Sequence, residues 1–227
     1  MSPQEFWQDI DPPGHSSTEG PFTDFYVADI DSGQLRLPIR VLGTGDQALA
    51  SLIINQASFA VQEALAKALA ARIAACDIDV VVGLPTLGLT LASAVARHLG
   101  HSRYVPLGTS RKFWYQEELS VPLSSITTPD RKRLYIDPRM LPLLSGRRVA
   151  LIDDVISSGT SIIAGLSLMT ACDVEPVVIG AAMLQSDRWR ERVDAVDPKW
   201  TKRIVGAFST PILRPSQDGG WQLPTRA

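Results

Sequence analysis

Val149-Ala150-Leu151-Ile152-Asp153-Asp154-Val155-Ile156-Ser157-Ser158-Gly159-Thr160-Ser161 is the stretch around which the rest of the chain falls into order. Its first four residues are apolar, as in a parallel strand buried on both faces. Two carboxylates stand where the strand leaves the sheet. Small, mostly hydroxyl-bearing residues then lead into Ile162-Ile163, Leu166 and Met169, whose spacing predicts a helix. In such a unit backbone N–H groups converge on one point, and the helix N-terminus adds partial positive charge. The loop Ser157, Ser158, Gly159, Thr160 and Ser161 therefore suits a phosphate monoester. Asp153 and Asp154 would repel that phosphate, so they are assigned to hydroxyl groups or a metal ion on the same ligand. A sugar phosphate meets both demands.

Outward from this unit, strands alternate with helices. Before it, Ala57 to Ala75 repeats Val61, Leu65, Leu69 and Ile73 at a spacing of four, an amphipathic helix. Ile78 to Leu84 reads as a buried strand, Leu89 to Leu99 as a helix stopped by Gly100, and Tyr104 to Leu107 as a third strand. After it, Val174 to Leu184 supplies a further strand and Asp187 to Val193 a charged turn or short helix. This alternation predicts an α/β fold, a mainly parallel central sheet flanked by helices. Asp24 to Leu42 predicts a hairpin turning at Asp31-Ser32-Gly33. Gly43-Thr44-Gly45-Asp46-Gln47-Ala48 formally matches a dinucleotide fingerprint, but no acidic residue ends a second strand at the required distance. It is read as a turn.

The thirteen-residue stretch resembles the phosphoribosyl pyrophosphate signature of the type I phosphoribosyltransferases. The resemblance implies a Rossmann-like core with a small hood. Asp153 and Asp154 would hold the ribose 2′- and 3′-hydroxyls, and Ser157 to Ser161 the 5′-phosphate. The loop Leu84, Pro85, Thr86, Leu87 and Gly88 would bind pyrophosphate through backbone N–H groups, with a cis peptide possible between Leu84 and Pro85. Ser110-Arg111-Lys112 looks like the start of a mobile loop, and the polar, aromatic run that it opens, from Gly108 to Asp137, lacks periodicity. Arg111 and Lys112 would then stabilise departing pyrophosphate on closure, while Arg131-Lys132-Arg133 reads as a solvated basic run. Mg²⁺ would be bound largely through the substrate, with Asp153 and Asp154 as candidate ligands. Ile156 is the expected apolar wall for the base, Asn55 a candidate for its polar edge or else a helix N-cap, and Gln185 a candidate for an exocyclic amine. Trp189 would stack on a base or pack the hood.

The reaction implied is transfer of the 5-phosphoribosyl group to a nucleobase nitrogen, with release of pyrophosphate. Ser157 replaces the Asp of hypoxanthine-guanine members, and the Lys that contacts the base in xanthine members is missing, which favours a purine with adenine first. Orotate or xanthine transfer is the alternative enzyme. A non-catalytic sensor of phosphoribosyl pyrophosphate is the alternative from another class.

Composition sets further bounds. Apolar residues make up 45% and charged residues 20% of the 227, with a formal charge of −2. No global basic field favours nucleic acid, and residues 1–50 offer neither a helix-turn-helix nor a basic surface. No apolar run is long enough to span a bilayer, and Glu5, Asp9 and Asp11 do not fit a signal peptide, so a cytoplasmic location is expected. Cys76 and Cys172 sit outside any metal-ligand pattern and are expected to be free thiols. Residues 1–21, rich in Pro, Gly and Ser, are expected to be a mobile arm. Residues 22–227 would form one domain, its core at about 78–184 and its hood from 22–56 and 185–227. A homodimer is implied by the resemblance alone.

Overall fold

The computed structural model describes residues 3–123 and 132–224. Among them the first half of the chain forms β1 (Phe25–Ile30), β2 (Gly33–Val41), β3 (Ala48–Ala50), α1 (Phe59–Ile73), β4 (Val80–Gly83), α2 (Gly88–His98) and β5 (Val105–Pro106). Next come β6 (Ser120–Pro122), β7 (Arg133–Tyr135), β8 (Val149–Ile156), α3 (Thr160–Ala171) and β9 (Val178–Gln185). The chain continues through α4 (Arg188–Asp194), α5 (Pro198–Thr201), β10 (Ile204–Thr210), β11 (Ile212–Pro215) and β12 (Trp221–Gln222).

Five parallel strands, in the order β10-β9-β8-β4-β5, form the central sheet. Their apolar residues divide between its two faces, because successive side chains of a strand point opposite ways. Val81, Ala150 and Ile152 pack with Val61, Leu65 and Leu69 of α1 and with Leu91 and Val95 of α2. Val82, Val149 and Leu151 pack with Ile162, Leu166 and Met169 of α3. The periodic helix starts where Ser58 Oγ accepts from Val61 N at 3.2 Å, and α2 ends before Gly100, whose φ of +81° suits glycine. No helix among the described residues is long and apolar enough to cross a membrane. Cys76 and Cys172 are free and half-buried.

A second, antiparallel sheet in the order β1-β2-β3-β11-β12 forms the hood. The Gly43–Gln47 segment closes β2 onto β3, with Leu42 N donating to Gln47 O at 2.8 Å, so it is a turn followed by a strand.

Three expectations change. The Ile204–Phe208 run, placed in the hood by sequence, is β10 of the parallel sheet, where Ile204 pairs with Ile179. The arm expected to be mobile is packed over its described part. Trp7 is buried; its Nε1 donates to Ser51 O at 2.9 Å and its carbonyl accepts from Ser58 N at 2.9 Å. Asp11 and Gln34 exchange backbone bonds at 2.8 and 2.9 Å, and Asp11 pairs with Arg36. The sparse anchors Phe6, Trp7 and Ile10 find an apolar surface in the hood and α1, which fixes the segment. Lastly, the aperiodic Gly108–Asp137 stretch contains the β6–β7 ribbon, which packs on α3. Residues 124–131 of that stretch, Arg131 included, lie outside the described residues.

Candidate functional site

The chain lays down β4 and β5 on one side, then returns to place β8 on the other side of β4 before continuing to β9 and β10. Strand order therefore reverses between β4 and β8, the point at which loops from two carboxyl ends part to leave a crevice. Leu84–Gly88 and Asp153–Ser161 are those loops. Leu84 N donates to Ile152 O at 2.8 Å, the last rung between them. Beyond it β4 ends while β8 runs on beside β9, so Asp153 and Asp154 are the first residues of β8 without a β4 partner. The two loops nevertheless touch. A Cβ added to Gly88 would lie 2.8 Å from Asp153 Cα and 2.9 Å from its Oδ1, so only glycine fits. The cis peptide of this loop joins Pro85 to Thr86, one residue beyond the Leu84–Pro85 bond that the sequence nominated.

Asp153 is 5% exposed and its Oδ1 accepts from Asp154 N at 2.9 Å. Burial, then the neighbouring Asp154 charge, pushes the Asp153 carboxyl well above the usual carboxylate range. Burial also raises Asp154. Two adjacent carboxyls held this way are relieved by hydroxyl donors or a cation. Among the described residues no cluster of three or more His, Cys, Asp or Glu forms a cage. The pair instead fits Mg²⁺, which keeps several waters and binds through one or two carboxylates plus substrate phosphates.

The next residues form a pocket of about 130 Å³ lined by Asp153 and by Val155 to Ile162. Gly159 has a φ of +79°, and α3 starts after it with no side chain capping its N-terminus. That first turn therefore presents N–H groups without a side-chain cap, an arrangement that suits an anion. Two arginines not nominated from sequence reach this loop from α4. Arg192 Nη1 donates to Thr160 Oγ1 at 3.0 Å and to Ser158 O at 3.3 Å, and Arg188 Nη2 donates to Ser157 Oγ at 3.3 Å. The signal was present in Arg188-Trp189-Arg190-Glu191-Arg192-Val193, where two pairs spaced by four, one basic and one apolar, share a short helix.

Other nominated residues lie elsewhere. Ile156 is 1% exposed and packs with Ile162, Trp189 and Val193, so it presents no wall to a base; half-buried Val155 faces the opposite way. Gln185 is buried, and its Nε2 donates to Ala50 O at 2.6 Å, which ties the hood to the core and uses the amide nominated for an exocyclic amine. Trp189 is buried, donating to Ser186 O, and packs instead of stacking. Asn55 is exposed on a 3₁₀ turn, Ile54–Gln56, while Ser58 caps α1. Arg111 pairs at 3.5 Å with Glu117, which also pairs with Arg133, and Lys112 is exposed. Beside them Trp114 Nε1 donates to Asp137 Oδ2 at 3.1 Å and its ring carries Arg139 at 4.9 Å. A separate cleft of about 940 Å³, lined by Tyr26, Leu184, Arg188, Ile212 and Arg214 among others, opens between the hood and the ends of β9 and β10.

A parallel α/β sheet with an acid pair and an uncapped, glycine-containing loop at its switch point is chemically suited to a sugar phosphate. Residues 51–210 match the model of the phosphoribosyl transferase domain, and the chain belongs to that family. It is 34% identical over 104 residues to a hypoxanthine/guanine phosphoribosyltransferase of Methanosarcina acetivorans, covering 46% of this chain and 51% of that protein. It is 32% identical over 122 residues to the transcriptional regulator GfcR of Archaeoglobus fulgidus, covering 53% of each. An orotate phosphoribosyltransferase of Halorhodospira halophila is 32% identical over 139 residues, 60% of this chain and 56% of that one. The chain thus spans about half the length of these curated relatives. Among solved structures, the adenine phosphoribosyltransferase of Giardia lamblia complexed with 9-deazaadenine shares the fold, with a TM-score of 0.53 at 21% identity over 66% of this chain and 80% of that one.

Proposed function

We propose that the protein transfers the 5-phosphoribosyl group of phosphoribosyl pyrophosphate to a nucleobase nitrogen, releasing pyrophosphate with inversion at the anomeric carbon. The observation that supports it most is the order of groups along one crevice: an anion loop, a buried acid pair, then a second loop pressed against that pair at Gly88. In this reading Ser157 to Ser161 hold the 5′-phosphate and Asp153 and Asp154 accept from the ribose hydroxyls. Leu84 to Gly88 cradle pyrophosphate through backbone N–H groups. Arg111 and Lys112 leave their present positions to meet pyrophosphate as charge builds on it, an interaction that accelerates the step because it strengthens in the transition state. Mg²⁺, held by the substrate beside Asp153 and Asp154, neutralises charge on pyrophosphate when bound.

The acceptor is a purine, with adenine first. Ser157 is a poor general base, which does not favour a 6-oxo purine, while Gln185, engaged with Ala50, no longer speaks for an exocyclic amine. Hypoxanthine, guanine and orotate are the alternatives that the relatives' activities suggest. A sensor of phosphoribosyl pyrophosphate is the second reading, favoured by the similarity to a transcriptional regulator.

Pyrophosphate release from phosphoribosyl pyrophosphate and Mg²⁺, measured separately with adenine, hypoxanthine, guanine, xanthine, orotate and uracil, tests both. Release that depends on one base establishes the transferase and its acceptor. Calorimetric binding of phosphoribosyl pyrophosphate without release supports the sensor. Absence of binding overturns both.

A further inference from the structure

We propose that Arg192, assisted by Arg188, is a positioning residue that holds the phosphate loop in its anion-binding shape and lends it positive charge. This rests on the reading of Ser157 to Ser161 as the 5′-phosphate site. It begins with packing. Trp189 and Val193, four apart on α4, are 1% and 0% exposed, and they press on the loop at Gly159. A Cβ added to Gly159 would lie 3.3 Å from Val193 Cγ2 and 3.4 Å from Trp189 Cβ. That contact fixes the rotation of a helix only two turns long. Arg188 and Arg192, also four apart, are thereby carried along the loop.

Their hydrogen bonds have a direction. Ser158 O and Thr160 Oγ1 both accept from Arg192 Nη1, and Ser158 Oγ is 3.1 Å from Thr160 Oγ1. In a trans peptide the carbonyl and the following N–H point opposite ways. A Ser158 carbonyl held on Arg192 therefore turns the Gly159 N–H away from α4, where it can meet an anion. Charge follows the same logic. Arg190 of the same helix is neutralised by Asp187 at 2.6 Å, whereas Arg188 and Arg192 form no ion pair among the described residues. Their donors go to neutral oxygens of the loop, so their charge remains available to a phosphate dianion beside it.

The test is calorimetric titration of the full chain with ribose 5-phosphate and, separately, with Mg²⁺-pyrophosphate. Arg192→Ala should weaken ribose 5-phosphate binding roughly 10- to 100-fold and leave pyrophosphate within about twofold. Arg192→Lys should recover part of the loss, because Lys restores the charge without the planar fork. Arg188→Ala should show a smaller loss with the same selectivity. Unchanged ribose 5-phosphate affinity in Arg192→Ala overturns the proposal, as does an equal loss for both ligands, which marks general damage. If Arg192→Ala does not fold, Arg192→Gln, a shorter side chain that keeps the aliphatic stem and an N–H donor but no charge, carries the same two readouts. Wild-type protein that binds neither ribose 5-phosphate nor phosphoribosyl pyrophosphate overturns the functional reading too. Wild-type binding with a neutral Arg192 removes this inference alone.

Discussion

The phosphate loop and the basic stretch at Arg111 are both polar, both outside regular structure, and held in opposite ways. Ser157 to Ser161 is gripped by β8 behind it, α3 ahead of it and α4 alongside, with Gly159 wedged against buried Trp189 and Val193. Arg111 to Tyr115 rests on an exposed ion pair, Arg111 with Glu117, and a hydrogen bond from Trp114 to Asp137, while Phe113 stands 96% exposed. Ion pairs of this exposed kind contribute little and exchange readily. One region is held in shape by packing, which would leave little ordering cost if it takes the proposed phosphate. The other is built to let go. Electrostatics repeat the contrast: burial raises Asp153 and Asp154, whereas the Arg139 guanidinium holds Asp137 well below the usual range.

Replacing Asp153 and Asp154 together with Asn should have the largest effect. Losing two charge-assisted acceptors predicts phosphoribosyl pyrophosphate affinity about 100-fold lower by calorimetry, with the fold retained. Unchanged affinity would break the comparison at its stronger end. Gly88→Ala comes next. The added methyl must displace Asp153 or the α2 N-terminus, which predicts a loss of about 1–3 kcal/mol by chemical denaturation and at least about tenfold lower turnover. Lys112→Ala should lower kcat by about tenfold while leaving ligand affinity nearly intact, the sign of an interaction made only on closure. A loss of affinity with kcat intact would make it a ground-state contact. Glu117→Gln should matter least, changing kcat less than about threefold, because the pair that it breaks is exposed.

Titration sharpens the same contrast through stability. Asp153 is raised in the folded ligand-free protein, so its contribution is fully present below the ordinary carboxylate pKa of about 4 and is lost as pH rises through the folded value. Asp153→Asn should therefore melt higher than wild type at pH 8, with the difference shrinking toward pH 4. Asp137 is lowered, so its contribution is present above about pH 4 and lost as pH falls further. Asp137→Asn should melt slightly lower than wild type at pH 8 and converge with it in acid.

What was legible in the sequence was local. A buried strand, an acid pair and a small-residue loop occupy thirteen adjacent positions, and α1 announces itself by Val61, Leu65, Leu69 and Ile73. Contacts between distant segments were not. Gln185 meets Ala50 from 135 positions away, and Trp7 meets Ser51 across the hood. The side taken by Ile156 was hidden for a subtler reason. Strict alternation would place it with Ile152, but the faces exchange across Asp153 and Asp154, so Val155 joins the cluster of Ile152 and Ile156 that of Leu151. β9 exchanges faces likewise, with Ala181 and Leu184 on one side and Ala182 and Met183 on the other. Both exchanges fall at the carboxyl ends of neighbouring strands in one register, so they belong to the assembled sheet and neither strand shows them alone.

The hood sheet interleaves strands from near both ends, β3 lying between β2 and β11. During synthesis, β1 to β3 leave the ribosome long before residues 212–222 exist, and they present an open edge until the last strands arrive. The parallel sheet faces a similar wait for β10, but its centre, β4 with β8, can pair earlier. Pairing at the crevice can therefore precede closure of the hood, and a nascent chain halted near residue 200 carries Asp153 and its loop beside a half-built roof.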